Sequence, residues 1–166
     1  MNDIIDILND KQKEAVLSTE GPCLVIAGAG SGKTKVLTHK IAYLMQEKNV
    51  KPWSILAITF TNKAANEMKE RLKSILGEQA LEIWAGTFHS ICVRILRRYI
   101  DRLGYDKSFT IYDTDDQKRL ITACIKEKNL DDKTFTPRAV LNEISRSKDR
   151  LIGYCAYATN AGSDFR

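Results

Sequence analysis

The residues best suited to chemistry stand together near the start of the chain. Ala27-Gly28-Ala29-Gly30-Ser31-Gly32-Lys33-Thr34 has the composition and spacing of a phosphate loop. Glycines let backbone N–H groups turn inward around a β-phosphate, and a helix starting there adds the positive end of its dipole. Lys33 offers a cation to the β and γ oxygens, and the Thr34 hydroxyl offers a ligand to Mg²⁺. The strict pattern opens with Gly, where this chain has Ala27. Without a ligand the same residues would be an ordinary glycine-rich turn. A guanine reader would need Asn-Lys-x-Asp. Asn62-Lys63-Ala64-Ala65 has Ala where that Asp belongs, so guanine specificity is not expected.

Such a loop works only between a strand and a helix, and the flanking sequence predicts both. Cys23-Leu24-Val25-Ile26-Ala27 is a continuous apolar run, as in a strand buried on both faces. From Lys33 to Gln46, apolar residues fall at Val36, Leu37, Ile41, Leu44 and Met45, a helical period. Before them, Asn9 to Thr19 reads as a short helix, with Asn9 as N-cap and Gln12 three residues on. Further along, Ile55–Phe60 predicts a second buried strand, Leu81–Ala85 a weaker one and Phe109–Tyr112 a short one. Helices are expected over Asn62–Leu76, stopped by Gly77, over Phe88–Leu103, from Asp113 or Thr114 to about Lys128, and from Pro137 for about a dozen residues. Strand and helix alternate through the first two thirds, which predicts an α/β fold with a parallel sheet. The last third is mainly helical, and the tail Gly153–Arg166 has weak periodicity and no capping stop.

Composition narrows the class. Of 166 residues, 43% are hydrophobic and 28% charged, an ordinary balance for a globular protein. No apolar run reaches the ~18–20 residues of a membrane span, and the polar start is no signal peptide. Cys23, Cys92, Cys124 and Cys155 form no C-x-x-C pair. That argues against a zinc site or disulfide framework and for a reducing, cytoplasmic compartment. The net charge of +5 fits a polyanion partner but is also unexceptional. Arg94, Arg97, Arg98 and Arg102 share one helix face, opposite Ile91, Cys92, Ile95, Leu96 and Tyr99. That cationic face could contact phosphates or simply be solvated.

The motifs together resemble the N-terminal end of UvrD/PcrA/Rep-type superfamily 1 DNA helicases, over about residues 6–150 and in the family's motif order. Leu8-Asn9-Asp10-Lys11-Gln12-Lys13-Glu14-Ala15-Val16 resembles the Q motif, where Gln12 would hold adenine; on its own residues Gln12 is equally a capping-box partner. Ala27–Thr34 resembles the family's Walker A, including Ala at its first position. Thr59-Phe60-Thr61-Asn62-Lys63-Ala64-Ala65 resembles motif Ia and Gly86-Thr87-Phe88-His89-Ser90 motif Ib, both of which meet single-stranded DNA in the family. The resemblance therefore implies cofactor contacts at Gln12, Ala27, Gly28, Ala29, Gly30, Ser31, Gly32, Lys33, Thr34 and Lys35. It implies DNA contacts at Phe60, Asn62, Thr87 and His89. Lys35 departs from the family's usual Arg and loses its planar stack on adenine.

In physical terms Phe60, at the carboxyl end of a strand, can stack on an unpaired base for about 1–3 kcal/mol. Asn62, Thr87 and His89 can bond phosphate or sugar. The opposing reading makes Phe60 a core residue and His89 a surface histidine. Phe88 is assigned to the core, since it starts the apolar face of its helix.

The fold implied is a P-loop NTPase, a RecA-like three-layer sandwich. Residues 1–112 would be the N-terminal portion of the first motor domain and 113–166 the start of a helical insertion. The parent protein would be an ATP-dependent 3′–5′ DNA helicase of the kind used in DNA repair. Its Walker B Asp-Glu pair and the arginines of its second motor domain do not occur in this sequence. The chain thus reads as a fragment whose partners are single-stranded DNA, ATP and the remainder of the helicase motor, with no membrane role. Asp113, ending an apolar run, is a poor imitation of a Walker B metal ligand. The competing readings are another P-loop enzyme such as a small-molecule kinase, and a non-enzymatic nucleic-acid-binding module regulated by nucleotide.

Overall fold

Asn9 opens the first packed element as its type and spacing predict. Helices α1 (Asp3–Asp6) and α2 (Asp10–Leu17) flank it. Its side chain accepts from the Gln12 amide at 2.9 Å, and Gln12 Oε1 accepts from the Asn9 amide at 3.2 Å, closing a capping box. Helix α3 (Lys33–Gln46) follows the glycine-rich loop. Leu8, Val16 and Val36 form one small core cluster beneath α2 and α3. At the far end of α2, Lys40 of α3 donates to the carbonyls of Ala15 and Ser18, which the helix itself leaves without partners.

The larger cluster lies on the other side of α3. Strand β1 (Leu56–Thr59), helix α4 (Asn62–Leu76), strand β2 (Trp84–Thr87) and helix α5 (Phe88–Tyr99) complete the first unit. Ile41, Met45, Ile55, Ala57, Met68, Leu72, Ala80 and Ile83 pack together. The two strands run parallel with Leu56 opposite Trp84 and Thr59 opposite Thr87, α4 making the crossover. Helix α4 stops at Gly77 with φ of +62°, and α5 runs through a 3-10 turn to Gly104 with φ of +80°.

The structure describes residues 3–161, so the predicted tail is seen only as α8 (Tyr154–Ala161) and its remainder lies outside the described residues. The chain divides into two units between Ser108 and Phe109. In the second unit, α6 (Thr114–Glu127) and α7 (Pro137–Asp149) pack on each other around Ile125.

Three sequence expectations need correction. Among the described residues the sheet has two parallel strands, β1 and β2, in a mixed, mainly helical structure. Cys23–Ala27 forms no strand, and Leu24 is 85% and Ile26 88% exposed. An apolar run becomes a strand only where a neighbouring strand takes its N–H and C=O groups, and no strand among the described residues does so. Phe109–Tyr112 likewise forms no strand. The weaker strand begins at Trp84 instead of Leu81, because a 3-10 turn over Gly77–Glu82 occupies the intervening residues.

Two outcomes are expected. Leu72 is 1% exposed at the centre of the larger cluster, so Leu72→Ala should destabilise the first unit by about 2–5 kcal/mol in urea unfolding. In the second unit, the Thr134 hydroxyl and then the Lys133 amide hold the Asp131 carboxyl below the usual carboxylate range. A lowered folded value means stability that is complete above the unfolded value and lost as pH falls through the folded one. Thermal unfolding on an acid pH series should therefore show a shallower loss for Asp131→Asn than for the parent.

Candidate nucleotide and nucleic-acid sites

The phosphate loop is built by two left-handed glycines. Gly30 has φ of +75° and Gly32 φ of +84°, conformations that a side chain would strain. Between them Ser31 closes a tight turn, its hydroxyl donating to the Gly28 carbonyl at 2.7 Å. Gly32 is the N-cap of α3, no side chain caps it, and the first turn carries no acid. The leading amides of a fourteen-residue helix are thus open to an anion.

Lys33 Nζ donates to the carbonyls of Gly28 at 2.6 Å and Ala27 at 3.2 Å. No carboxylate pairs with it among the described residues. Thr34 follows in the first turn, half-buried. An uncapped helix start with a cation that lacks a counter-charge fits a polyphosphate. The donor set beside it, a single hydroxyl, fits a Mg²⁺ that takes most of its ligands from phosphate and water.

Gln12 reaches this loop. Its Nε2 donates to the Ser31 carbonyl at 3.1 Å while Oε1 accepts from the Asn9 amide. These partners fix which end of the amide is oxygen, since one is an acceptor and the other a donor. One N–H and one lone pair remain for a ligand. Gln12 therefore closes the capping box, the second of the two readings of its position, and also touches the loop. Lys35 points elsewhere, donating to the Ile7 carbonyl at 2.6 Å and tying the segment before α2 to α3. A Cβ on Gly32 would come within 2.7 Å of Gln12 Nε2. Gly32→Ala should therefore displace Gln12 and strain the loop, lowering adenine-nucleotide affinity by about tenfold in calorimetry and the melting temperature by a few degrees.

A second group of side chains gathers at the carboxyl ends of the strands. Thr59 and Thr87 are register partners, so the residues just beyond them, Phe60 and Phe88, come side by side. Their ring centroids are 6.2 Å apart with planes at 67°, an edge-to-face pair. Phe60 is 89% exposed and Phe88 55% exposed. Neither is a core residue, and the assignment of Phe88 to the core is corrected here. Its helix begins at the sheet's rim, and its side chain projects past the last ladder pair. The position after β2's last residue was the signal that could have found it.

Two helices start at this rim without acids in their first turns. Thr61 caps α4 through the Ala64 amide at 3.1 Å. Thr87 is buried and caps α5, in a capping box with Ser90. Its hydroxyl is thereby engaged within the protein and holds the turn. Asn62 and His89, first and second in their helices, are exposed.

The remaining candidates are drawn into structural work. Arg94 and Arg98 lie over the Trp84 ring at 4.1 and 5.8 Å, and Arg102 over Tyr99 at 5.2 Å. Arg97 donates to the Lys107 carbonyl. Asp113 caps α6 through the amides of Asp115 and Asp116, both at 2.8 Å. No cluster of three metal-ligating side chains occurs among the described residues, nor any helix long and apolar enough to cross a membrane.

The model of the UvrD/REP helicase N-terminal domain matches residues 8–163. The chain belongs to the UvrD/REP helicase N-terminal domain family. It is 61% identical over 150 residues to the ATP-dependent DNA helicase PcrA of Bacillus subtilis (strain 168), covering 90% of this chain and 20% of that protein. It is 56% identical over 151 residues to the PcrA of Staphylococcus aureus (strain Mu50 / ATCC 700699), covering 91% and 21%. The chain thus spans about a fifth of the length of these relatives. The resemblance carried by the phosphate loop and the two strand-end motifs is confirmed at the level of the family.

Proposed function

We propose that this chain is the nucleotide- and single-strand-contacting N-terminal portion of an ATP-dependent 3′–5′ DNA helicase. The observation that carries the reading is Lys33, a cation without a counter-charge at an uncapped helix start. Gly28–Thr34 would wrap the phosphates of ATP, with Lys33 on the β and γ oxygens and the Thr34 hydroxyl on Mg²⁺. The ion, when bound, neutralises charge developing on the transferred phosphoryl group. The N–H and lone pair left on Gln12 match adenine's N7 and N6 amine and mismatch guanine, which presents two acceptors on that edge.

At the strand ends Phe60 would stack on a base, while Asn62 and His89 bond the backbone of a single strand. The open amides of α4 and α5 favour phosphate there. Residues 1–112 are read as part of a RecA-like motor domain and 113–166 as the start of its helical insertion. The exposure of Leu24 and Ile26 supports a sheet that continues with strands from the remainder of the motor. Hydrolysis and unwinding belong to that whole. A cytoplasmic setting suits the four free, exposed thiols.

Two substitutions test the reading. Lys33→Ala removes a charge-assisted contact and should weaken ATP binding about 10–100-fold in titration calorimetry. Equal affinity would refute the nucleotide site. Phe60→Ala should weaken binding of an oligo(dT) strand with little change in its salt dependence, because stacking releases no counterions.

A further inference from the structure

We infer that Phe88 is a positioning residue for single-strand binding: it braces the exposed Phe60 ring so that Phe60's open surface is held ready for a base. The inference rests on the DNA reading of the strand ends and extends it to a side chain that reading does not use.

The geometry begins in the backbone. Phe60 follows the last residue of β1 and Phe88 the last residue of β2, and those last residues pair across the ladder. Parallel neighbours run ~4.8 Å apart, so the two aromatic side chains leave adjacent points of one rim. Each is anchored by the capped start of a helix, Phe60 just before the cap Thr61 and Phe88 just after the buried cap Thr87. Their contact is edge-to-face, with ring centroids 6.2 Å apart.

Phe60 is otherwise open to solvent, at 89% exposure. An aromatic ring so exposed would sample several rotamers, and a base that stacks on it would have to freeze that motion. A second ring holding it on one side removes part of that cost in advance. Phe88, itself 55% exposed, leaves the rest of the Phe60 ring clear. The contact is therefore more useful to a ligand than to the core, from which both rings stand apart.

The test measures binding of labelled oligo(dT), and of the matching abasic strand, by the 166-residue chain and its variants. Phe88→Leu keeps an apolar side chain but loses the ring edge. It should weaken oligo(dT) binding about two- to tenfold, the usual worth of an aromatic pair. Phe88→Tyr should restore it. The difference between parent and Phe88→Leu should vanish on the abasic strand and in a Phe60→Ala background, since Phe88 acts through Phe60 and Phe60 through a base. Melting temperature and ATP affinity should stay unchanged. A loss of equal size on the abasic strand, or in the Phe60→Ala background, would overturn the inference and leave Phe88 a backbone contact or a fold element. Unchanged oligo(dT) binding by Phe88→Leu would overturn it too. If Phe60→Ala itself binds oligo(dT) like the parent, the DNA reading of the rim fails, and this inference with it.

Discussion

Helix α3 is the element on which the first unit depends, because it is buried from two sides. Val36 near its start joins Leu8 and Val16 of the α2 layer, while Ile41 and Met45 join the cluster under the sheet. A helix clamped this way cannot shift its N-terminus without opening one of two apolar contacts. That N-terminus is where the loop Gly28–Gly32 ends and Lys33 begins. Rigid burial at the back of α3 thus sets where an anion would meet its open amides at the front. The cost of a misplaced phosphate group is steep, so in the proposed nucleotide site the packing of Val36 and Ile41 would matter as much as Lys33.

Sheet register does for the rim what α3 does for the loop. Thr59 opposite Thr87 decides that Phe60 and Phe88 are neighbours, and a slip of one residue would turn each ring to the opposite face. These placements come from β1 and β2, which are bound by Ile55, Ala57 and Ile83 to the same cluster as α3. The loop and the rim therefore share one core.

Much of this was legible in residue types, and what was not has physical reasons. Asn9 with Gln12, Gly77 after α4 and Pro137 at the start of α7 are local signals, and the local structure obeys them. Cys23–Ala27 looked like a buried strand because composition reports what a segment can tolerate. Pairing depends on partners far away in sequence, and no strand among the described residues supplies one. Phe88 looked like core because helical periodicity was extended into the first turn, where the side chain instead projects beyond the sheet. The arginines of α5 looked free because a face shared by Arg94 and Arg98 gives no hint that Trp84, on a strand earlier in the chain, lies under it.

The fate of the cations also limits what net charge can say. Lys35 and Lys40 are spent on backbone carbonyls, and Arg94, Arg98 and Arg102 on aromatic faces. An excess of +5 is thus no measure of the charge offered to a ligand. Lys33 differs in kind, since its carbonyl partners Ala27 and Gly28 belong to the very loop that must wrap a phosphate. Neutral carbonyls are weaker partners than charged phosphate oxygens, so a triphosphate can displace them. The gain is the difference between two sets of hydrogen bonds, not the full strength of either. The same exchange would release the Ala27 carbonyl and leave the Gly28 carbonyl to the Ser31 hydroxyl, so that anion binding would change the partners of the loop's backbone as well as those of Lys33. Gln12 holds the Ser31 carbonyl of that loop, which links the capping amide of α2 to the segment whose hydrogen bonds would be exchanged.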